Sequence, residues 1–243
     1  MTDQNDQLNN EYDLNISEIY DQLQKRPEPP KPAVKTEEFE EIHDVKNENR
    51  IRLACILDSG DMDFRDNLIF RLHPIAAALK SFKNNSKIYV DSPLMRDAIL
   101  SKIKAEQEKR QKEGVSPLSG IDVIAAAAHP KADEFAKKHD LSKAAAGFML
   151  LKNEIKSSIV VIGEDDSALL GVCRLVERGN KPYLILGFPA GFENQKKSKD
   201  FLETENLETP FILSQGTKGG VTAAAVSVVE LMKIWEDEKL VKS

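Results

Sequence analysis

Residues 57–64 read LDSGDMDF and crowd three carboxylates, Asp58, Asp61 and Asp63, around one glycine. Such a cluster could hold a metal, carry a phosphoryl group, or cap a helix. It does not fit an EF-hand, whose acids alternate ahead of the loop glycine. DMDF does supply a D-x-D, and the run IRLACIL before it could be a strand. Capping and turn formation are the plainer use of these residues. A second candidate is SQGTKGGV, residues 214–221. Its glycines let backbone N–H groups approach an anion, a helix start adds positive potential, and Lys218 adds a mobile charge. The GxxxxGK[ST] of a P-loop is missing, and a tight turn against a sheet explains the stretch equally well. A third is GFPAGF, residues 187–192, a stiff loop whose Phe192 could be a platform for a large flat ligand or a loop-packing residue. In DSALL, residues 166–170, acids stand at a helix start, where capping explains them. His43, His73, His129 and His139 are scattered and form no ligand pair, and GxSxG, HExxH and GxGxxG are absent.

To act together, these stretches need a frame that collects them. KIYVD (87–91), GIDVIAAAA (120–128), SIVVIG (158–163), YLILGF (183–188) and TPFILSQ (209–215) are short apolar runs and predict strands. Between them lie helical periods: 92–114 with its terminal glycine, 129–139, 141–155 opening on a serine cap, 167–179, 193–205 and 219–240. The segment 69–82 also reads as helical, with Pro74 near a helix start. Continuous apolar strands alternating with helices predict a single α/β domain, its mostly parallel sheet covered by helices on both faces. In such sheets ligands sit beyond the carboxyl ends of the strands. Here those ends carry GEDDSA, GFPAGFEN and SQGTKGG.

The chain's 243 residues suffice for a substantial core, and its net charge of −6 argues against general attraction to nucleic acid or anionic lipid. Cys55 and Cys173 lie in apolar runs without a CxxC, which predicts buried thiols and no zinc knuckle. The polar start MTDQNDQLNNEYD reads as no signal peptide, and no apolar stretch of about 18 residues occurs, so no membrane span is expected. A cytoplasmic protein is the expectation. Residues 1–50 read as a polar arm with a Pro-rich linker, RPEPPKPAVK at 26–35, and LNISEIYDQLQK as a short docking helix. Residues 51–243 read as the folded domain.

Taken in order, GEDDSALLGVCRLVERG, GFPAGFENQKKSKD and TKGGVTAAAVSVVEL resemble the C-terminal half of the precorrin-8X methylmutase (precorrin isomerase) family of cobalamin biosynthesis. That family reads GNAPTAL–F-R-L-L-E, then GVPVGFVGAAESKE, then RKGGS or RRGGS and an alanine-rich helix. Gly187, Pro189, Gly191, Phe192, Ser198, Lys199, Lys218, Gly219 and Gly220 fall on family positions. Upstream, KIYVDSPLM places Asp91 on a matching acid, HPKADEFAKKHDLSKAAA resembles a DPRV…TRSAAA region, and GDMDF matches a G-x-x-D block through Gly60 and Asp63. The resemblance runs from about Ile51 to Leu231.

It implies a homodimer with active sites near the subunit interface, and a corrin-precursor substrate whose methyl group moves from C-11 to C-12. It implies no cofactor and no metal held by the protein; the net charge and the lack of an apolar span argue against a nucleic-acid or membrane partner. The substrate-binding residues it implies are Asp91, Lys143, Gly163, Gly191, Phe192, Lys218, Gly219 and Gly220. The family histidine proposed as proton donor, in I-H-A-C-G or I-H-T-T-A, falls on Leu57, which leaves Asp58 beside it as the catalytic candidate. The arginine of TRSAAA falls on Ser142, with Lys143 one place along, and the neutral NAP becomes Glu164, Asp165 and Asp166. Two alternatives therefore stand beside the methylmutase: a catalytically impaired relative that binds a tetrapyrrole, and an unrelated α/β enzyme of phospho-ligands.

Overall fold

Strands covered on both faces of a sheet read as near-continuous apolar runs, and four runs here do so. In the computed structural model, which describes residues 38–242 except 193 and 206, they form the parallel centre of a six-stranded sheet. These are β2 (Ile88–Val90), β4 (Ile159–Ile162), β5 (Leu184–Gly187) and β6 (Phe211–Ser214), each buried along its whole length. β1 (Leu68–Arg71) pairs antiparallel with β6 at one edge, and β3 (Val123–Ala125) pairs parallel with β2 at the other. The order across the sheet is β1-β6-β5-β4-β2-β3.

Alternation along the strands assigns each helix to a face. Ile159, Val161, Leu184, Leu186 and Ile212 pack with α1 (Glu38–Ser59), α3 (Pro74–Lys83), α4 (Pro93–Lys112) and α9 (Val221–Lys242). Val160, Ile162, Ile185, Phe211 and Leu213 pack on the opposite side with α6 (Lys143–Leu150), α7 (Asp166–Glu177) and α8 (Asn194–Thr204). Two short helices complete the order, α2 (Phe64–Asn67) and α5 (Ala132–His139). Both cysteines are buried and free. Burial pushes the Cys55 thiol up to about 11, and its sulfur lies 3.3 Å from the Ser227 hydroxyl.

The expected α/β architecture is the observed one, with three local corrections. IRLACIL is not a strand but part of α1. Ile51 and Cys55, four apart, are fully buried, while Leu53 and Leu57 face out, a helical rather than alternating pattern. Ile69–Arg71 is not helical but lies in β1. Leu72 and His73 adopt φ of 58° and 54°, which separates that strand from α3, opened by Pro74 at its first turn. The run 120–128 yields only three strand residues before a 3-10 turn at Ala126–Ala128. There Gly147 of α6 presses so closely that a Cβ would lie 2.0 Å from the Ala126 carbonyl oxygen. α1 runs through the boundary read at residue 50, and the docking helix and Pro-rich stretch lie outside the described residues. Among the described residues no helix is long and apolar enough to cross a membrane.

Candidate functional site

The chain lays β3 on one side of β2, then crosses to place β4, β5 and β6 successively on the other. The reversal lies between β2 and β4, where an open α/β sheet has its crevice. Asp91 follows β2 there. One oxygen, Oδ2, accepts the backbone N–H groups of Gly163 (3.0 Å), Glu164 (2.7 Å) and Asp165 (3.1 Å) in the β4–α7 turn. Its other oxygen is buried without a hydrogen-bond partner among the described residues. Burial pushes Asp91 up to about 6, although the three N–H donors favour the carboxylate. Asp91 is fully buried and supports this turn. Gly163 is packed as well, since a Cβ there would meet Met95 Sδ at 2.6 Å and the Val221 Cα at 3.3 Å. Asp165 caps α7, accepting from the Ala168 N–H at 2.9 Å, and Ser142, itself the cap of α6, hydrogen-bonds Asp165. Lys143 thereby starts its helix beside this turn, half exposed and 4.0 Å from Asp133.

The next two turns are tied together through backbone. The Gly220 N–H donates to the Phe188 carbonyl at 2.6 Å, and the Gly191 N–H to the Thr217 carbonyl at 3.1 Å. Gly219 has φ of +140°, and a Cβ on it would lie 2.3 Å from the Phe188 oxygen and 2.7 Å from Ser214 Oγ, so only glycine fits. From α8, the buried Lys199 donates to the carbonyl oxygens of Lys218 (2.7 Å) and Gly216 (2.9 Å). Burial pushes its ammonium down to about 8. Ser214 Oγ adds a bond to the Lys218 carbonyl at 2.9 Å. Lys199 falls on a family position, a match that carries no sign of this role. Its place three residues before the buried Leu202, on an otherwise polar helix, was the available signal. Phe192 projects from the β5–α8 turn with 84% of its surface open.

The acidic block stands against this rim. Ser59 ends α1 and accepts the Asp61 N–H at 3.1 Å; Asp61 Oδ1 accepts the Asp63 N–H at 3.0 Å. Lys218 closes the arrangement, 2.5 Å from Asp61 Oδ2 and 3.2 Å from Asp63 Oδ2. That hydrogen bond holds Asp61 below the usual carboxylate range and raises Lys218. Asp58 is ion-paired with Lys102 of α4. Leu57 is 76% exposed. The three acids thus face lysines, and among the described residues no three metal-ligating side chains are placed to hold an ion. A separate cavity of about 550 Å³, lined by Trp235, Phe82 and Asp122, lies by the residues that enter β2 and β3, at the other end of the strands.

Comparison with known proteins agrees with the order of these turns. Residues 34–234 match the family model described as precorrin-8X methylmutase. The chain belongs to the precorrin-8X methylmutase family. It is 31% identical over 182 residues to the cobalt-precorrin-8 methylmutase of Methanocaldococcus jannaschii, covering 74% of this chain and 77% of that one. It is 28% identical over 177 residues to the cobalt-precorrin-8 methylmutase of Priestia megaterium, covering 72% of each. The crystal structure of precorrin-8X methylmutase from Thermus thermophilus shares the fold, with a TM-score of 0.65 at 20% identity over 92% of this chain and 98% of that one. Within this methylmutase family fold, Asp91, Gly163, Gly191, Phe192, Lys218, Gly219 and Gly220 all lie on one rim of the sheet. Lys143 joins them through the cap of α6, and Asp58 lies at the end of α1.

Proposed function

We propose that the three turns of this rim cradle a flat, polycarboxylated corrin precursor, and that the protein moves a methyl group on that ring from C-11 to C-12. The observation that carries the reading is the direct bracing of turns distant in sequence, with Phe192 left open beside them. The rearrangement is intramolecular: one ring-to-methyl bond breaks as the other forms. The protein's part is to fix the ring in one conformation, exclude water, and set a proton on the macrocycle. We assign Lys218 and Lys143 to peripheral carboxylates of the ring. Asp58, paired with Lys102 next to Leu57, is the group assigned to the proton. We place the working protein in the cytoplasm as a homodimer whose partner copy closes the site. The buried, unpaired cysteines suit a reducing compartment.

Leu57 favours a second reading, a relative that binds a tetrapyrrole without rearranging it, because leucine carries no transferable proton. One assay separates them. Purified protein mixed with cobalt-precorrin-8 or precorrin-8X is followed by its visible spectrum. Conversion to product, slowed by about a hundredfold or more in Asp58→Asn and retained or raised in Leu57→His, is the expected result. A stable bound spectrum without conversion would establish the second reading instead.

A further inference from the structure

Lys218, the cation assigned above to a ligand carboxylate, is already occupied. Asp61 and Asp63 both bind it, and two carboxylates on one ammonium leave the spot with net negative charge. Glu164, Asp165 and Asp166 add the same sign on the neighbouring rim turn. The other anion-binding feature of the rim, the N–H cluster at 163–165, is filled by the fully buried Asp91. Of the two internal carboxylate sites, only the one on Lys218 is open to exchange. Asp61 and Asp63 are 27% and 59% exposed, and the Lys218 side chain 39%. The bonds from Ser59 to Asp61 and from Asp61 to Asp63 lie within the loop itself. Those two bonds do not involve Lys218, so the turn they form does not depend on it. Partly exposed ion pairs are weak and give way at modest cost.

We propose that Asp61 and Asp63 are built-in competitors of the ligand's carboxylates at Lys218, and set how strongly the site prefers an acidic ring over its amidated counterpart. This rests on the functional reading above. In the resting protein the two aspartates stand where ring carboxylates would stand. An acidic ring must displace them to reach the ammonium. A ring carrying neutral amides leaves the pair intact and gains nothing from Lys218. The two acids thus act on specificity without touching the reacting carbons.

The test is a set of absorbance titrations with two commercial corrins, dicyanocobyrinic acid, which carries free carboxylates, and dicyanocobinamide, in which they are amides. The proteins are wild type, Asp63→Asn, Asp61→Asn/Asp63→Asn, Lys218→Met and the triple variant. Asparagine keeps the oxygen that accepts the Asp63 N–H, so the turn is retained, and circular dichroism checks this. The double variant is expected to bind the acidic corrin roughly three- to tenfold more tightly than wild type. Asp63→Asn alone gives part of that gain and covers a double variant that fails to fold. Affinity for the amidated corrin stays within about twofold, and the gain vanishes without Lys218. Unchanged or weaker binding of the acidic corrin overturns the proposal, as does a gain that survives Lys218→Met. If wild type and every variant ignore both corrins, the functional reading fails and the proposal with it. If wild type binds and the variants show no gain, only the proposal fails.

Discussion

Two parts of the rim are built in different ways. The turns after β4, β5 and β6 are held by buried groups and by backbone: Asp91 on three N–H groups, Lys199 on two carbonyls, and the Gly220 N–H on Phe188. The loop after α1 is held to them by partly exposed ion pairs on Lys218 and carries the exposed Met62, while the exposed Leu57 lies in the last turn of α1. The first part carries the glycine-bearing motifs on which the resemblance rests, the second adjoins Leu57, where the resemblance implies a histidine. Buried, mutually dependent polar groups tolerate little change, because removing one strands its partners. A loop pinned by surface charges can change residue by residue. On the proposed function, the contrast lets a chain keep the shape of its cradle while the group beside it alters.

The sharpest way to break the comparison is a pair of substitutions. Gly219→Ala drives a methyl group into the Phe188 carbonyl at a backbone angle that suits glycine, and is expected to cost about 4 kcal/mol and to abolish corrin binding. Leu57→Ala, on the exposed face of the last turn of α1, is expected to change stability by no more than about 0.5 kcal/mol. Urea unfolding of both measures the difference, and equal costs would erase the distinction.

A smaller effect comes from Asp91. Its folded value, raised by burial to about 6, exceeds the ordinary carboxylate value, so the folded state holds the proton between about pH 4 and pH 6. The resulting stabilisation is complete below about pH 4 and is lost as pH rises through 6. Relative to Asp91→Asn, whose amide does not titrate, wild type should lose about 2–3 kcal/mol across that interval and nothing further above pH 7. Parallel curves for the two proteins from pH 4 to 7 would show that Asp91 is not buried as described.

The sheet and its rim were legible because fully apolar runs such as IVVI and LILG have one stable use, and glycine-bearing turns recur at their ends. β1 was not, because Ile69–Arg71 is an edge strand whose residues are only partly buried, and so short a run carries no clear period. The helix in IRLACIL hid behind a continuous apolar run whose inward residues are four apart. In the site, sequence order brings out Lys218 and Phe192, but Asp61 and Asp63 read locally as metal ligands or caps. Their partner, Lys218, lies 157 residues from Asp61 in the chain, and such pairing leaves no local pattern. Asp91 and Lys199 matched by position, yet their work as supports depends on burial that local sequence does not display.

The central claim, that the three turns form one binding surface, is tested most directly by hydrogen exchange with and without the corrin precursor. Binding should slow exchange together at 163–166, at 187–192 and at 216–221. Protection confined to a single turn, or found instead around Trp235 in the cavity at the far end of the strands, would contradict it.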